Sequence, residues 1–104
     1  MKKNLNLLRN CPSENGFVVF NGGTLKNGRE LVNALETMDE WTFRYHVNTD
    51  NNKNDFAAWI KDVFHDSSLA DKLQGTMDKE AYIQHIKDRL SDLLSRTRKK
   101  KSKK

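Results

Sequence analysis

A chain of 104 residues supplies one domain at most, and a domain of that size buries only about two-thirds of the surface its unfolded chain exposes, so deep catalytic clefts are hard to build. The hydrophobic fraction is low at 36% and the charged fraction high at 32%, yet two Trp, five Phe and two Tyr are bulky anchors that disordered chains lack, which predicts a folded middle with loose ends. The net charge of +5 is unevenly spread: "RTRKKKSKK", residues 96 to 104, holds seven of the 19 basic residues and no acid, leaving 12 basic against 14 acidic groups before it.

The opening "MKKNLNLLRN" has two lysines like the n-region of a signal peptide, but its apolar run stops at Leu8 and no small-residue cleavage site follows. An intracellular setting, cytoplasmic or nucleoid/nuclear, is therefore expected. Residues 1–16 are polar and broken by Cys11-Pro12-Ser13 and Asn15-Gly16, which predicts a flexible arm with a short apolar contact through Leu5, Leu7 and Leu8. Cys11 is the only cysteine, so one chain forms neither an internal disulfide nor a thiolate metal cluster.

"FVVF", residues 17–20, is the one β-like run, bounded by Gly16 and by Asn21-Gly22-Gly23, and needs a neighbour such as Thr24 and Leu25 to pair with. From Gly28 the period becomes helical, with Leu31, Leu35 and Met38 on one stripe and Val32 alongside. Asp39 reads as the N-cap of a second short helix carrying Phe43, His46 and Val47. After the polar gap "NTDNNKN", Asn54 caps a third, whose Phe56, Trp59, Ile60, Val63 and Phe64 give the strongest amphipathic signal in the chain. Asp66 or Ser67 starts a fourth with Leu69, Ala70 and Leu73, stopped by Gly75. The last begins near Asp78, carries Tyr82, Ile83, Ile86, Leu90, Leu93 and Leu94, and frays into the basic run. The expected fold is mainly α: a compact bundle of about five mostly short helices over residues 17–95, one extended segment near 17–20, and a disordered basic tail at 96–104. No run of 18 apolar residues exists, so no membrane span is expected.

The chemical motifs dissolve on inspection. "GTLKNGRE" follows a β-like run and opens a helix, but a phosphate loop needs Gly-Lys-Ser/Thr where this chain has Arg29 and Glu30. "DNNKNDFAAWIK" imitates a calcium loop through Asp50, Asn52 and Asn54, but puts Asp55 and Lys61 where a glycine and a bidentate glutamate belong. His46, His65 and His85 have no i, i+4 partner imidazole. His46 is expected to pack on Phe43 or Trp59 while hydrogen-bonding a loop carbonyl or carboxylate, and His65 to end a helix. Cys11 lacks a structured electropositive setting, and the serines lack an elbow motif. No catalytic residue, metal or cofactor is expected, and the chain does not read as an enzyme.

Two surfaces remain. Phe43, Phe56, Trp59 and Phe64 fall on buried stripes, whereas Trp41 and Tyr45, flanking Arg44, fit theirs less well, making these three and His46 the candidate recognition surface. Arg96, Arg98, Lys99, Lys100, Lys101, Lys103 and Lys104 would release counterions from a nucleic acid without reading its sequence. An acidic membrane surface, or a tail that only solvates or targets an adaptor domain, are the alternatives. The body is expected to contact protein, another copy of itself included.

The phrases Phe-x-x-x-x-Gly from Phe17, F-x-Y-H-V-N from Phe43, N-D-F-A-x-W-I-x-x-V-F from Asn54 and "LADKL" up to Leu73 together resemble a family of small uncharacterised domains in archaeal and bacterial proteins. The resemblance implies no activity. It implies that His46, Asn54, Asp55, Phe56 and Trp59 form one structural signature, with both ends of the chain, the basic run included, outside it.

Overall fold

The computed structural model describes residues 6–20, 22–48 and 52–102, with side chains as far as Arg96. Among these residues it is mainly α-helical, with five α-helices, a 3-10 turn at Ser13–Asn15 and two small antiparallel strand pairs. Strand β1 (Phe17–Val18) pairs with β2 (Thr24–Leu25), Phe17 opposite Leu25, so the β-like run finds the neighbour expected of it. Helices α1 (Gly28–Thr37), α2 (Glu40–His46), α3 (Asp55–Phe64), α4 (Ser67–Gln74) and α5 (Lys79–Ser102) follow.

Each helix starts where a short polar side chain accepts a free amide of the first turn. Asn27 takes the amide of Glu30, Asp39 that of Thr42, Asn54 that of Ala57 and Asp66 that of Leu69, and Asp78 takes that of Ala81. The Thr42 amide holds the Asp39 carboxyl below the ordinary carboxylate range. His65 closes α3 in the left-handed region at φ 58°, its amide bonded to the Ile60 carbonyl, as a helix-ending residue does. Gly75 closes α4 at φ −98°, so that stop does not use the left-handed freedom of glycine.

A second hairpin went unforeseen. Val47, expected on α2, is extended at φ −132° and starts β3 (Val47–Asn48), which pairs with β4 (Lys53–Asn54). Asn52 turns the chain at φ 53°, a conformation Asn tolerates. Val47 keeps its expected place in the core, on extended backbone and not on a helix.

The core lies between α1, α3, α4 and α5, where Leu31, Leu35, Phe43, Phe56, Ile60, Leu73, Tyr82 and Ile86 are fully buried. Burial pushes the Tyr82 hydroxyl far above the ordinary tyrosine range. That hydroxyl donates to Asn54 Oδ1, and Asn54 Nδ2 donates to the Leu73 carbonyl at 2.9 Å. One side chain thus caps α3 and ties it to α4 and α5.

Over its described part, residues 6–16, the expected flexible arm is packed. Leu7 is fully buried and Cys11 nearly so. The Gly28 amide donates to the Leu7 carbonyl at 2.7 Å and the Cys11 amide to the Lys26 carbonyl at 2.9 Å. Trp59 Nε1 donates to the Asn15 carbonyl at 2.7 Å. A side chain on Gly28 would meet Leu7 Cβ and Leu90 Cδ2 at 2.9 Å each, so α1, α5 and the N-terminal segment meet only because this residue has none. Residues 1–5 lie outside the described residues.

At the other end the expected tail begins within α5, which runs on to Ser102. Among the described side chains Leu93 is the last buried one on it. Among the described residues no helix is long and apolar enough to cross a membrane.

Candidate functional site

Helix α2 sorts its aromatic residues between two environments. Phe43 points inward and is fully buried, while Trp41 and Tyr45, four residues apart and so on one face, are 61% and 43% exposed. The third ring comes from elsewhere. Along 17–20 burial alternates, Val19 inward and Val18 and Phe20 outward, and the turn that carries Phe20 is closed by bonds between Val19 and both Gly22 and Gly23. The Phe20 ring stacks on Tyr45 at 4.4 Å and 27°, and Tyr45 on Trp41 at 5.8 Å and 22°. Phe20 and Trp41 are 5.3 Å apart. Three mutually touching rings thus form an exposed cluster, bordered by a groove of about 400 Å³ lined by Val19, Phe20, Leu25, Ala34, Met38 and Thr42.

His46 lies beneath this cluster, not in it: it is only 4% exposed, which removes it from the expected recognition surface. Its Nε2 accepts the Phe20 amide at 3.1 Å, so that nitrogen carries the lone pair. The proton is on Nδ1, which donates to Asp55 Oδ2 at 2.9 Å. The ring packs on Phe17 and Phe56 at 5.2 and 5.0 Å, not on Phe43 or Trp59 as expected, while the carboxylate partner was anticipated. Both nitrogens are engaged, so accepting a substrate proton or a metal at His46 would require breaking one of these bonds. The imidazole fastens the β1–β2 turn to α2 and α3, setting Phe20 against Tyr45.

The charges around the rings are paired. Lys53 lies over the Tyr45 face at 4.7 Å, donates to the Tyr45 carbonyl at 2.9 Å and pairs with Asp55. Arg44 pairs with Glu40 at 3.1 Å, both side chains being well exposed, a contact worth little in water. Phe56, Trp59 and Phe64 are buried with Phe43, as their spacing required. Among the described residues no three His, Cys, Asp or Glu side chains gather as a metal would need. Cys11 sits in the core, where burial raises its thiol above the ordinary value.

Of the basic run, Arg96 is described, exposed and 3.3 Å from Asp92. Arg98, Lys99, Lys100 and Lys101 lie on the helical backbone of α5, their side chains outside the described set, and Lys103 and Lys104 lie outside the described residues. The ring cluster and the basic run are separate features: α5 contributes Tyr82, on Phe43 at 5.3 Å, beneath α2, and Arg96 lies fourteen residues further on, about 21 Å along the axis.

A family model described as a family of unknown function, DUF5752, matches residues 17–104. The chain belongs to that family. The match runs past Leu73 and through the basic run, so the C-terminal end, expected to lie outside the family's signature, is within it, and residues 1–16 are not. No curated protein and no solved structure matches the chain.

Phe20 is the member of the ring cluster that sequence reasoning missed. The signal was available: a strand covered on one face only alternates inward and outward, which sends two of the four residues in "FVVF" to the surface.

Proposed function

We propose that this protein is a non-enzymatic interaction module whose basic C-terminal segment binds nucleic acid electrostatically and without sequence preference, inside the cell. One observation carries the reading. Residues 96–104 hold seven cations and no acid, and as far as Ser102 their backbone continues helix α5, on which Leu93 is the last buried side chain among those described. Such a run gains from displacing the counterions condensed on phosphates, and on duplex DNA seven contacts give log K against log salt a slope of about −6. Binding of a 20-base-pair duplex at low salt, abolished by deleting residues 96–104, supports the proposal. Equal binding by the shortened chain, or none by the full one, rejects it.

The exposed rings Trp41, Tyr45 and Phe20 favour a second reading, an adaptor that docks protein or another copy of itself while its basic end only solvates or targets it. In that case the full chain leaves duplex and single strand unbound at low salt.

A further inference from the structure

We propose that His46 is a proton-operated latch: neutral, it holds the β1–β2 turn and its Phe20 ring against Tyr45, and protonated, it lets that turn go. The exposed ring cluster is then complete at neutral pH and loses its third ring in mild acid. This goes beyond the reading above and is independent of what the basic end binds.

The two nitrogens of the imidazole are bonded to different elements. Nδ1 donates to Asp55 Oδ2 on α3 at 2.9 Å, and Nε2 accepts the Phe20 amide at 3.1 Å. Neutral imidazole has one donor and one acceptor nitrogen, and these two partners use both. An added proton, taken from water, occupies the Nε2 lone pair. Nδ1 then still donates to Asp55, from a charged ring, and that bond strengthens. Nε2 becomes a donor aimed at the Phe20 N–H, so two donors meet where one bond stood. The ring is only 4% exposed, so no solvent acceptor replaces the amide while the turn stays in place, and a buried donor without a partner is costly. With α3 holding the ring more firmly, the turn is what gives. Phe20 is 37% exposed, so its freed amide finds water once it moves.

The turn has little else to hold it. Among the described residues its other hydrogen bonds join Val19 to Gly22 and Gly23, within the turn itself. The strands below it stay, because Phe17 sits opposite Leu25 and packs its ring on Phe56 and Trp59. Release is therefore confined to the turn, and it uncovers the Tyr45 face on which Phe20 is stacked.

The groups packed on the imidazole are Asp55 and the Phe56 ring from α3, the Tyr45 ring from α2, edge-on at 5.0 Å, and the Phe17 ring from β1. Lys53 of β4 is bonded to the same Asp55 oxygen. Residues 17–25 carry no ionisable side chain, so nothing on the hairpin compensates a charge on His46. Histidine is the side chain that ordinarily changes charge between about pH 5 and 8, and a charge change of that kind switches a surface when it biases an element with two positions.

The test follows amide exchange in the full chain by NMR from about pH 8 to about pH 5, each rate divided by that of an unstructured amide at the same pH. Phe20 protection is expected to fall about tenfold in acid, and magnetisation transfer between the Phe20 and Tyr45 rings to fade with it. The Gly28 amide, bonded to the Leu7 carbonyl, is expected to keep its protection. His46→Gln should hold Phe20 protection level across the range, because its side-chain oxygen accepts at every pH. Constant Phe20 protection in the unsubstituted chain overturns the latch. So does a fall shared equally by Gly28, which is general unfolding in acid, and so does a fall that persists in His46→Gln. If that variant does not fold, the nitrogen chemical shifts of the His46 ring in the native chain decide instead. Nε2 is expected to gain its proton over the interval in which Phe20 protection falls, and a mismatch rejects the latch.

Discussion

His46→Ala is the substitution that asks most of the site's construction. It takes away the acceptor of the Phe20 amide and the donor to Asp55, together with a ring packed on Phe17 and Phe56. A part-buried amide left without a partner costs about 1–3 kcal/mol, and the bond to Asp55 contributes about 1 because Lys53 still serves that carboxylate. The lost ring contacts add about 1–2 kcal/mol. The total, about 3–6 kcal/mol, is a large part of the 5–15 kcal/mol that ordinarily holds a domain together. Urea denaturation measures the sum, and hydrogen exchange at the Phe20 amide isolates its first part. His46→Gln offers an oxygen where Nε2 stood and should recover Phe20 protection without the bond to Asp55. If His46→Ala stays within about 1 kcal/mol of the native chain, or its Phe20 amide exchanges no faster, the imidazole does not hold the β1–β2 turn and the reasoning fails.

Other expectations concern the frame. Leu7→Ala, in the segment before the family match, should cost about 2–5 kcal/mol in urea denaturation, where a loose arm would tolerate it. Gly28→Ala should lower the melting temperature, because its methyl meets Leu7 and Leu90 at 2.9 Å and overpacking of that kind costs about 1–3 kcal/mol. Tyr82 is held neutral by burial, its pKa raised above the ordinary 10.0. The unfolded chain therefore loses that proton first, and the stability this group contributes is whole below pH 10 and declines as pH rises above it. Urea midpoints between pH 9 and 11 should show that decline, and Tyr82→Phe should lessen it. An unchanged slope would mean that the hydroxyl is reached by water.

Helices were legible because each carries its own punctuation. Asp39, Asn54, Asp66 and Asp78 are short acceptors standing immediately before a 3.6-residue apolar stripe, and the caps are made by local bonds that a single sequence window contains. Trp41 and Tyr45 were legible for the complementary reason: they sit off the stripe that Phe43 defines. What escaped was non-local. Leu7 is one apolar residue in a polar stretch, with no period to announce it, and its burial is decided by Gly28 and Leu90, far along the chain. The β3–β4 pair is two residues per strand, too short for alternation to register. Phe20 joins the rings through a hydrogen bond spanning 26 positions to His46, and no spacing rule reaches that far. His46 was expected to bond a carboxylate. Which rings it would touch depended on how β1 crosses α2 and α3, which the local pattern does not contain.

The most direct test of the account is the salt dependence of duplex binding, measured side by side for the full chain and for residues 1–95. The account requires a log–log slope of about −6 for the full chain when all seven cations engage, and loss of measurable binding once residues 96–104 are removed. A full chain that fails to bind at low salt, or a shortened chain whose affinity and slope match those of the full one, would contradict it.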